Sequence, residues 1–591
     1  MDTIVARLVA RASANPDAVA FMRPPPRPGG AWAPVPWGEA LDAVREIGAG
    51  LAGLGIEPGD RVALIGKNSP EWLAVDFAVQ HIGAITVPLY TTFAPEQLAY
   101  VVNHAECRAY VFDDADQWER VRAIDVPTVE HFVAMEIEAG EGFTTVDDLR
   151  ATGRAKLGED PGLLEDRLAG IGPDDPFSII YTSGTTGPPK GAVLTHRNAL
   201  WTADRVGEAV PFKGAEASVC YLPLSHVYER LSTTVVPFAE NGPRDGVVYF
   251  VPTMERLPEA LVAARPTIMA SVPRVWEKVR ARVMAQVEAD RRRAKSVSRA
   301  LAAGMEAARR RDAGQPVPLR MRLGAWTARN VVGRKVRSAL GLDRVRWAVC
   351  GAAPISPDVQ YFVQALGIPL HQGWGMTETT SAGVLQTDGD LEAGVVGVPL
   401  DDVEIRLDED GEILIRGGNV FAGYYREPEA TAAVLGADGW FRTGDIGAWT
   451  GDGRLRIVDR KKDLIITAAG KNIGPQEIEK RLKAHPLVAE AMVVGDGRPY
   501  LVALLSLDPD ETGRLSEEAI REQVGRLVEE VNRAFSRPEQ VKRWFVAPGG
   551  FPPEALTPTL KLKRRVVLEA FAVDIERLYG GEEPPDVDVD G

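Results

Sequence analysis

Thr182, Ser183, Thr185 and Thr186 place four hydroxyls within five residues, interleaved with Gly184 and Gly187 and followed by Lys190 and Gly191. Glycines without a Cβ let backbone amides close around an anion, hydroxyls donate to its oxygens, and an ammonium supplies counter-charge, so the run fits phosphate binding. It follows the apolar residues Phe177, Ile179 and Ile180, which read as a buried strand. It is not a Walker loop, because Pro189 and Gly191 flank the lysine where that loop needs a glycine and a hydroxyl residue. A surface turn uses the same residue types, so composition alone leaves that alternative open.

Other chemistry-bearing residues lie far downstream. His226 stands in the run Leu222, Pro223, Leu224, Ser225, His226, Val227, Tyr228; an isolated histidine there either makes structural hydrogen bonds or works in a site. Gly351, Ala352, Ala353 and Pro354 follow an apolar strand at 345–349 and are small enough to let a flat ring lie on backbone, or simply to pack closely. His371, Gln372, Gly373, Trp374, Gly375, Met376, Thr377 and Glu378 come next. Trp374 offers a face for stacking or for the core, and Glu378 offers a carboxylate that most loops leave solvated but that a hard cation requires. Asp445, between Gly439 and Gly447, is expected on a tight turn, where carboxylates often cap backbone amides. Asp459, Arg460, Lys461, Lys462 and Asp463 form a charge cluster of the kind found in linkers between domains. Lys561 stands near the C-terminus beside Lys563, Arg564 and Arg565.

Taken in order, these segments resemble the motifs of the adenylate-forming (AMP-binding) enzymes: acyl-CoA synthetases, peptide-synthetase adenylation domains and luciferases. The run Pro266, Thr267, Ile268, Met269, Ala270, Ser271, Val272, Pro273, Arg274, Val275, Trp276, Glu277, Lys278 is similar to a segment of the long-chain fatty acyl-CoA synthetase branch. The resemblance implies a two-step ligase. A fatty acid carboxylate attacks the α-phosphate of ATP and releases pyrophosphate, and the coenzyme A thiol then takes the acyl group, leaving AMP. By the same resemblance Thr182, Ser183, Gly184, Thr185, Thr186, Gly187 and Lys190 hold the departing phosphates. Gly351, Ala352, Ala353 and Pro354 with Gln372, Gly373, Trp374, Gly375 and Met376 form the adenine pocket, Thr377 bonds the α-phosphate, and Glu378 holds Mg²⁺. Asp445 accepts from the ribose hydroxyls, and Ile457 and Arg460 complete the nucleotide site. His226 positions the carboxylate, Lys561 is the catalytic lysine, Lys462 is the hinge, and Gly470 and Lys471 approach the pantetheine path in the second step. A fatty acyl-AMP ligase loading a carrier protein, or a ligase for medium-chain or aromatic acids, would carry the same motifs, so both stay open.

These residues need a scaffold. Apolar runs at 61–65, 84–89 and 109–112 alternate with helical periodicity at 37–54, 70–81 and 95–104, the pattern of a parallel sheet covered on both faces. The expected fold class is α/β: a large N-terminal domain of several subdomains with mostly parallel sheets, plus a small mobile α+β C-terminal domain. A chain of 591 residues exceeds what one core organises. The expected division is 1–459, 460–580 and an acidic, disordered tail at 581–591.

Residues 274–340 make a basic helical segment within a chain of net charge −15. It is either a solvated helical hairpin or a peripheral contact with an anionic membrane. The acidic total argues against nucleic acid as a partner; a homodimer stays open. Cys107, Cys220 and Cys350 lie too far apart for a zinc site or a disulfide framework. With no leader pattern and no apolar run of spanning length, the expected location is the cytoplasm, at most peripheral at a membrane.

Overall fold

The computed structural model describes residues 2–182, 188–243, 245–289, 294–468, 471–513, 515–556 and 562–580. The alternation read in the first hundred residues becomes the centre of an eight-stranded sheet. Arg61–Ile65 pairs in parallel with Ile85–Leu89 on one side and Cys107–Phe112 on the other. The helices between them start where local chemistry says they must. Ser69 accepts from the Trp72 N–H and Pro70 opens Pro70–His81, while Pro95 opens Pro95–His104 with the Gln97 side chain accepting from Ala94 N–H. Pro176–Thr182 joins the sheet beside Ile85–Leu89 and pairs antiparallel with Lys190–Thr195. The hydroxyl-rich run therefore connects two adjacent strands; its members Ser183, Gly184, Thr185, Thr186 and Gly187 lie outside the described residues.

A second sheet joins Ala215–Cys220, Asp245–Phe250 and Val19–Arg23 in parallel and ends on antiparallel Ala33–Pro36. A third joins Ile268–Ser271, Trp347–Cys350 and Leu370–Trp374 in parallel before turning antiparallel at Val384–Leu385. Helix Pro70–His81 is tied to the segment after His226 by an ion pair between Asp76 and Arg230, both fully buried. That pair is followed directly by a π-helical turn, Leu231–Val235.

The region expected as turns around Asp445 is instead a four-stranded antiparallel sheet: Glu404–Leu407, Glu412–Arg416, Phe441–Trp449 and Leu455–Arg460. Asp445 lies inside the strand Phe441–Trp449. The glycines that suggested a turn serve an irregularity in it: Gly444 has φ +70° and the register shifts between Ile446 and Gly447.

The C-terminal unit is α+β as expected. Val488–Val494 pairs antiparallel with Leu501–Leu507, which pairs in parallel with Val541–Val546. Helices Pro475–Lys483 and Glu517–Asn532 bury Ile478, Leu482, Ile520 and Val524 against this sheet. The tail 581–591 lies outside the described residues.

Candidate active site

A cavity of about 2070 Å³ opens between the sheets and the C-terminal unit. Thr182, Cys350 and Trp374 end their strands at its wall, which is where ligands bind in open α/β sheets. The backbone there is held in unusual shapes. Ala352 (φ +65°) and Ser381 (φ +77°) occupy the left-handed region without being glycine, and both line the cavity. Such conformations gather at functional sites, where surrounding contacts enforce them. Gly375 is obligatory for a different reason: a Cβ there would collide with the Ser381 carbonyl.

Gly351, Ala352, Ala353 and Pro354 form one stretch of wall, and Gln372, Gly373, Trp374, Gly375 and Met376 another. Thr377 and Glu378 follow on a short 3₁₀ turn, Thr377–Thr379, and both are buried in the wall. Glu378 Oε1 accepts from the Tyr424 hydroxyl at 2.9 Å, and the Lys190 ammonium stands 5.1 Å from the centre of the Tyr424 ring. Burial, reinforced by the Glu378 charge, pushes the Tyr424 phenol up, so it keeps its proton and serves as donor.

Asp445, only 4% exposed, is gripped from two sides. Trp374 Nε1–H donates to Oδ2 at 2.8 Å, and Arg460 Nε lies 2.7 Å from Oδ1. Asp445 and Arg460 are direct partners across adjacent strands, which fixes that ion pair by register. Trp374 thus does two things: its ring joins the core and its N–H holds the acid.

His226 also lines the cavity. Its Nδ1 accepts from the Tyr228 N–H at 3.1 Å, so the neutral ring carries its proton on Nε2. Tyr228 is itself fixed, donating to the Val349 carbonyl at 3.1 Å and accepting from Ser271 N–H at 3.2 Å. Ile457, Arg460 and Lys462 line the same cavity. Their neighbour Lys461 lies 2.9 Å from Glu412 and 2.5 Å from Asp410. Asp408, Asp410 and Glu412 stand close enough together to suggest a cation, but Arg442 and Lys461 supply the positive charge, and the donor set fits an ion-pair network.

Two expectations fall differently. Lys471 is not part of the cavity wall in this arrangement; its ammonium donates to Ser536 Oγ at 3.0 Å, inside the C-terminal unit. Lys561 and Gly470 lie outside the described residues, although Leu562 and Lys563, next to Lys561 in the chain, do line the cavity. Sequence reasoning missed Tyr424 and Lys480. The glycine–aromatic run Gly423, Tyr424, Tyr425 was a usable signal for the first. Nothing in the sequence separates Lys480 from Lys483 of the same helix; both line the cavity, but Lys483 is paired with Glu490 while burial lowers the Lys480 pKa.

Comparison with known proteins agrees with this architecture. The AMP-binding enzyme family model matches residues 8–425, and the model for the C-terminal domain of AMP-binding enzymes matches 462–583. The chain is 34% identical to the long-chain-fatty-acid–CoA ligase FadD15 of Mycobacterium bovis, over 98% of each chain. It is 31% identical to the peroxisomal long chain acyl-CoA synthetase 6 of Arabidopsis thaliana, over 93% of this chain and 82% of the relative. Among solved structures, the adenylation domain of a carboxylate reductase from Mycobacterium chelonae superposes with a TM-score of 0.75 at 23% identity, over 98% of this chain and 91% of that one, a likeness of fold. Two-domain architecture, matched family models and full-length relatives together place the chain in the AMP-binding enzyme family.

Proposed function

We propose that this chain is an ATP-dependent ligase that activates a long-chain fatty acid as acyl-AMP, releases pyrophosphate, and passes the acyl group to coenzyme A. The observation that carries this reading is one cavity lined by two chemically different sets of side chains. Lys190, Thr377, Glu378 and Asp445 furnish the cation, hydroxyl and carboxylates that a nucleotide uses, while Val206, Val210, Leu231, Val236 and Trp347 furnish an apolar wall for an acyl chain. Pockets for a single small ligand measure about 300–1,000 Å³, and this one, at about 2070 Å³, has room for a nucleotide and a lipid together.

Within the reading, Asp445 accepts from the ribose and Arg460 orients it; Lys190 faces the departing phosphates with Thr182. Thr377 and Lys561 stabilise charge on the α-phosphate, and Nε2–H of His226 holds the carboxylate. Substitution at phosphorus is mostly positioning and electrostatics, so fixed donors suffice without a general base. Glu378 is the carboxylate that would hold Mg²⁺, which when bound would neutralise phosphate charge. Lys471 belongs to the second step, for which the C-terminal unit would turn about Lys462.

No helix among the described residues is long and apolar enough to cross a membrane. The three free, buried thiols suit a reducing cytoplasm, with the basic segment 274–340 at an anionic membrane surface. A pyrophosphate-release panel over fatty acids of rising chain length, with and without coenzyme A, tests the whole. Release should rise with chain length, and coenzyme A should convert accumulated acyl-AMP to acyl-CoA. Release of orthophosphate, or acyl-AMP that coenzyme A leaves untouched, would overturn it, the latter in favour of a carrier-protein acceptor.

A further inference from the structure

The helix Leu319–Thr327 has apolar residues on two opposite faces, and only one of them is partnered. On the inner face a Cβ on Gly324 would sit 2.6 Å from the Ala303 Cβ, and a Cβ on Gly304 would sit 3.1 Å from that of Ala328 and 2.8 Å from that of Ala365. Small residues thus seat this helix and the π-helical turn after it on Ala294–Asp312, which in turn seats on Pro357–Ala365, whose Tyr361 lines the cavity. On the outer face Leu319, Leu323 and Trp326 follow one another at i, i+4 and i+7 and are 81%, 67% and 58% exposed. Three large apolar side chains in one stripe are what a soluble surface avoids.

The charged residues of this stretch of chain are all of one sign. Arg320, Arg322, Arg329, Arg334 and Lys335 are exposed, and no acidic residue occurs in the chain between Asp312 and Asp343. In the helix beneath, Arg309 and Arg310 are tied to Asp358 and Glu306. This is a cationic island on a protein of net charge −15.

We propose that Leu319–Thr327 lies in the interface of an anionic bilayer, with Leu319, Leu323 and Trp326 below the headgroups and the flanking arginines on lipid phosphates. This rests on the reading that the substrate is a long-chain acid, which resides in such a surface. A leucine–tryptophan stripe edged by arginine has the chemistry of an in-plane membrane helix. A second copy of the chain suits the stripe poorly, since a two-fold contact through it would set the two arginine rims against each other.

Flotation of the full chain with vesicles tests it, comparing equimolar phosphatidylcholine and phosphatidylglycerol with phosphatidylcholine alone, at low salt. The wild type should float with the anionic vesicles and scarcely with the neutral ones. The triple variant Leu319→Ser, Leu323→Ser, Trp326→Ser should stay at the bottom. Arg320→Gln, Arg322→Gln, Arg329→Gln should weaken binding by about 100-fold, at about fivefold for each cation near a charged surface. A control variant, Met254→Ser with Val262→Ser, should float like the wild type. The proposal is overturned if the wild type does not float, or if the apolar variant floats equally well. It is also overturned if light scattering shows a wild-type dimer that the apolar variant dissolves without any change in flotation. Pyrophosphate release with detergent-dispersed fatty acid should be equal in all variants. If the wild type floats as expected but releases none, the ligase reading fails while the docking surface stands.

Discussion

Replacing Trp374 by Phe removes one hydrogen bond at the centre of the proposed nucleotide site, and the structure says how much that should matter. The indole N–H is 2.8 Å from Asp445 Oδ2 in a wall where the acid is 4% exposed, so solvent does not replace the donor. A hydrogen bond to a charged group contributes about 1.5–3 kcal/mol. Arg460 still holds the other oxygen, so the low end applies. AMP affinity should therefore fall by about tenfold, at about 1.4 kcal/mol per decade. Phe is also smaller than Trp, and a packing defect could mimic the effect. A double-mutant cycle with Asp445→Asn separates the two, because the packing change is common to both backgrounds while the charged hydrogen bond exists in only one. Titration calorimetry of AMP against the four proteins gives the coupling. We expect Trp374→Phe to weaken AMP binding markedly with Asp445 present and far less with Asn. Equal losses in both backgrounds would refute the idea that Trp374 works through Asp445.

Three other perturbations follow from the packing and charge around the cavity. Arg230→Ala would leave the buried Asp76 carboxylate without its cation, and breaking such a pair costs about 3–5 kcal/mol; calorimetry should show a large fall in Tm, and Asp76→Leu with Arg230→Met should recover most of it. Glu229, buried and bonded to Leu222 N–H at 3.0 Å and Thr233 Oγ1 at 2.6 Å, is pushed up by burial from the ordinary 4.5 to about 7. The folded chain holds that proton over a window in which the unfolded chain has released it, so raising the pH through it removes stability, by up to about 3 kcal/mol. Glu229→Gln should flatten the slope of Tm against pH between these two values, and an unchanged slope would contradict the assignment. Gly375→Ala would drive a methyl into the Ser381 carbonyl and displace the segment carrying Thr377 and Glu378; a displacement of about 1 Å costs ~10²-fold in rate, read as pyrophosphate release.

The parallel core was legible because its signals are local. Ser69 with Pro70, and Pro95, mark helix starts, and the apolar runs 61–65 and 109–112, alternating with helical periodicity, read as buried strands. The antiparallel sheet around Asp445 was not, since the glycines of Phe441–Trp449 mimic turns; what makes Gly444 part of a strand is that strand's pairing with Glu412–Arg416 and Leu455–Arg460. Site residues that belong to ordered motifs come to one cavity from two places: Thr377 and Glu378 from a turn that follows one sheet, Asp445 and Arg460 from adjacent strands of another. Tyr424 and the donor role of Trp374 depend on which side chains meet across those sheets, which no single stretch encodes. Lys471 illustrates the opposite limit: the motif it belongs to suggested the cavity, but its ammonium bonds Ser536 inside the C-terminal unit. The exposed stripe of Leu319–Thr327 could be read as periodicity, yet only the packing shows which of its two apolar faces is left uncovered.

The most direct measurement separates the two half-reactions in Lys561→Ala. Pyrophosphate release from ATP and a long-chain fatty acid should be almost abolished, while acyl-CoA formation from supplied acyl-AMP and coenzyme A should continue near the wild-type rate. Pyrophosphate release surviving at the wild-type rate, or equal loss of both half-reactions, would contradict a ligase that assigns this lysine to the first step alone.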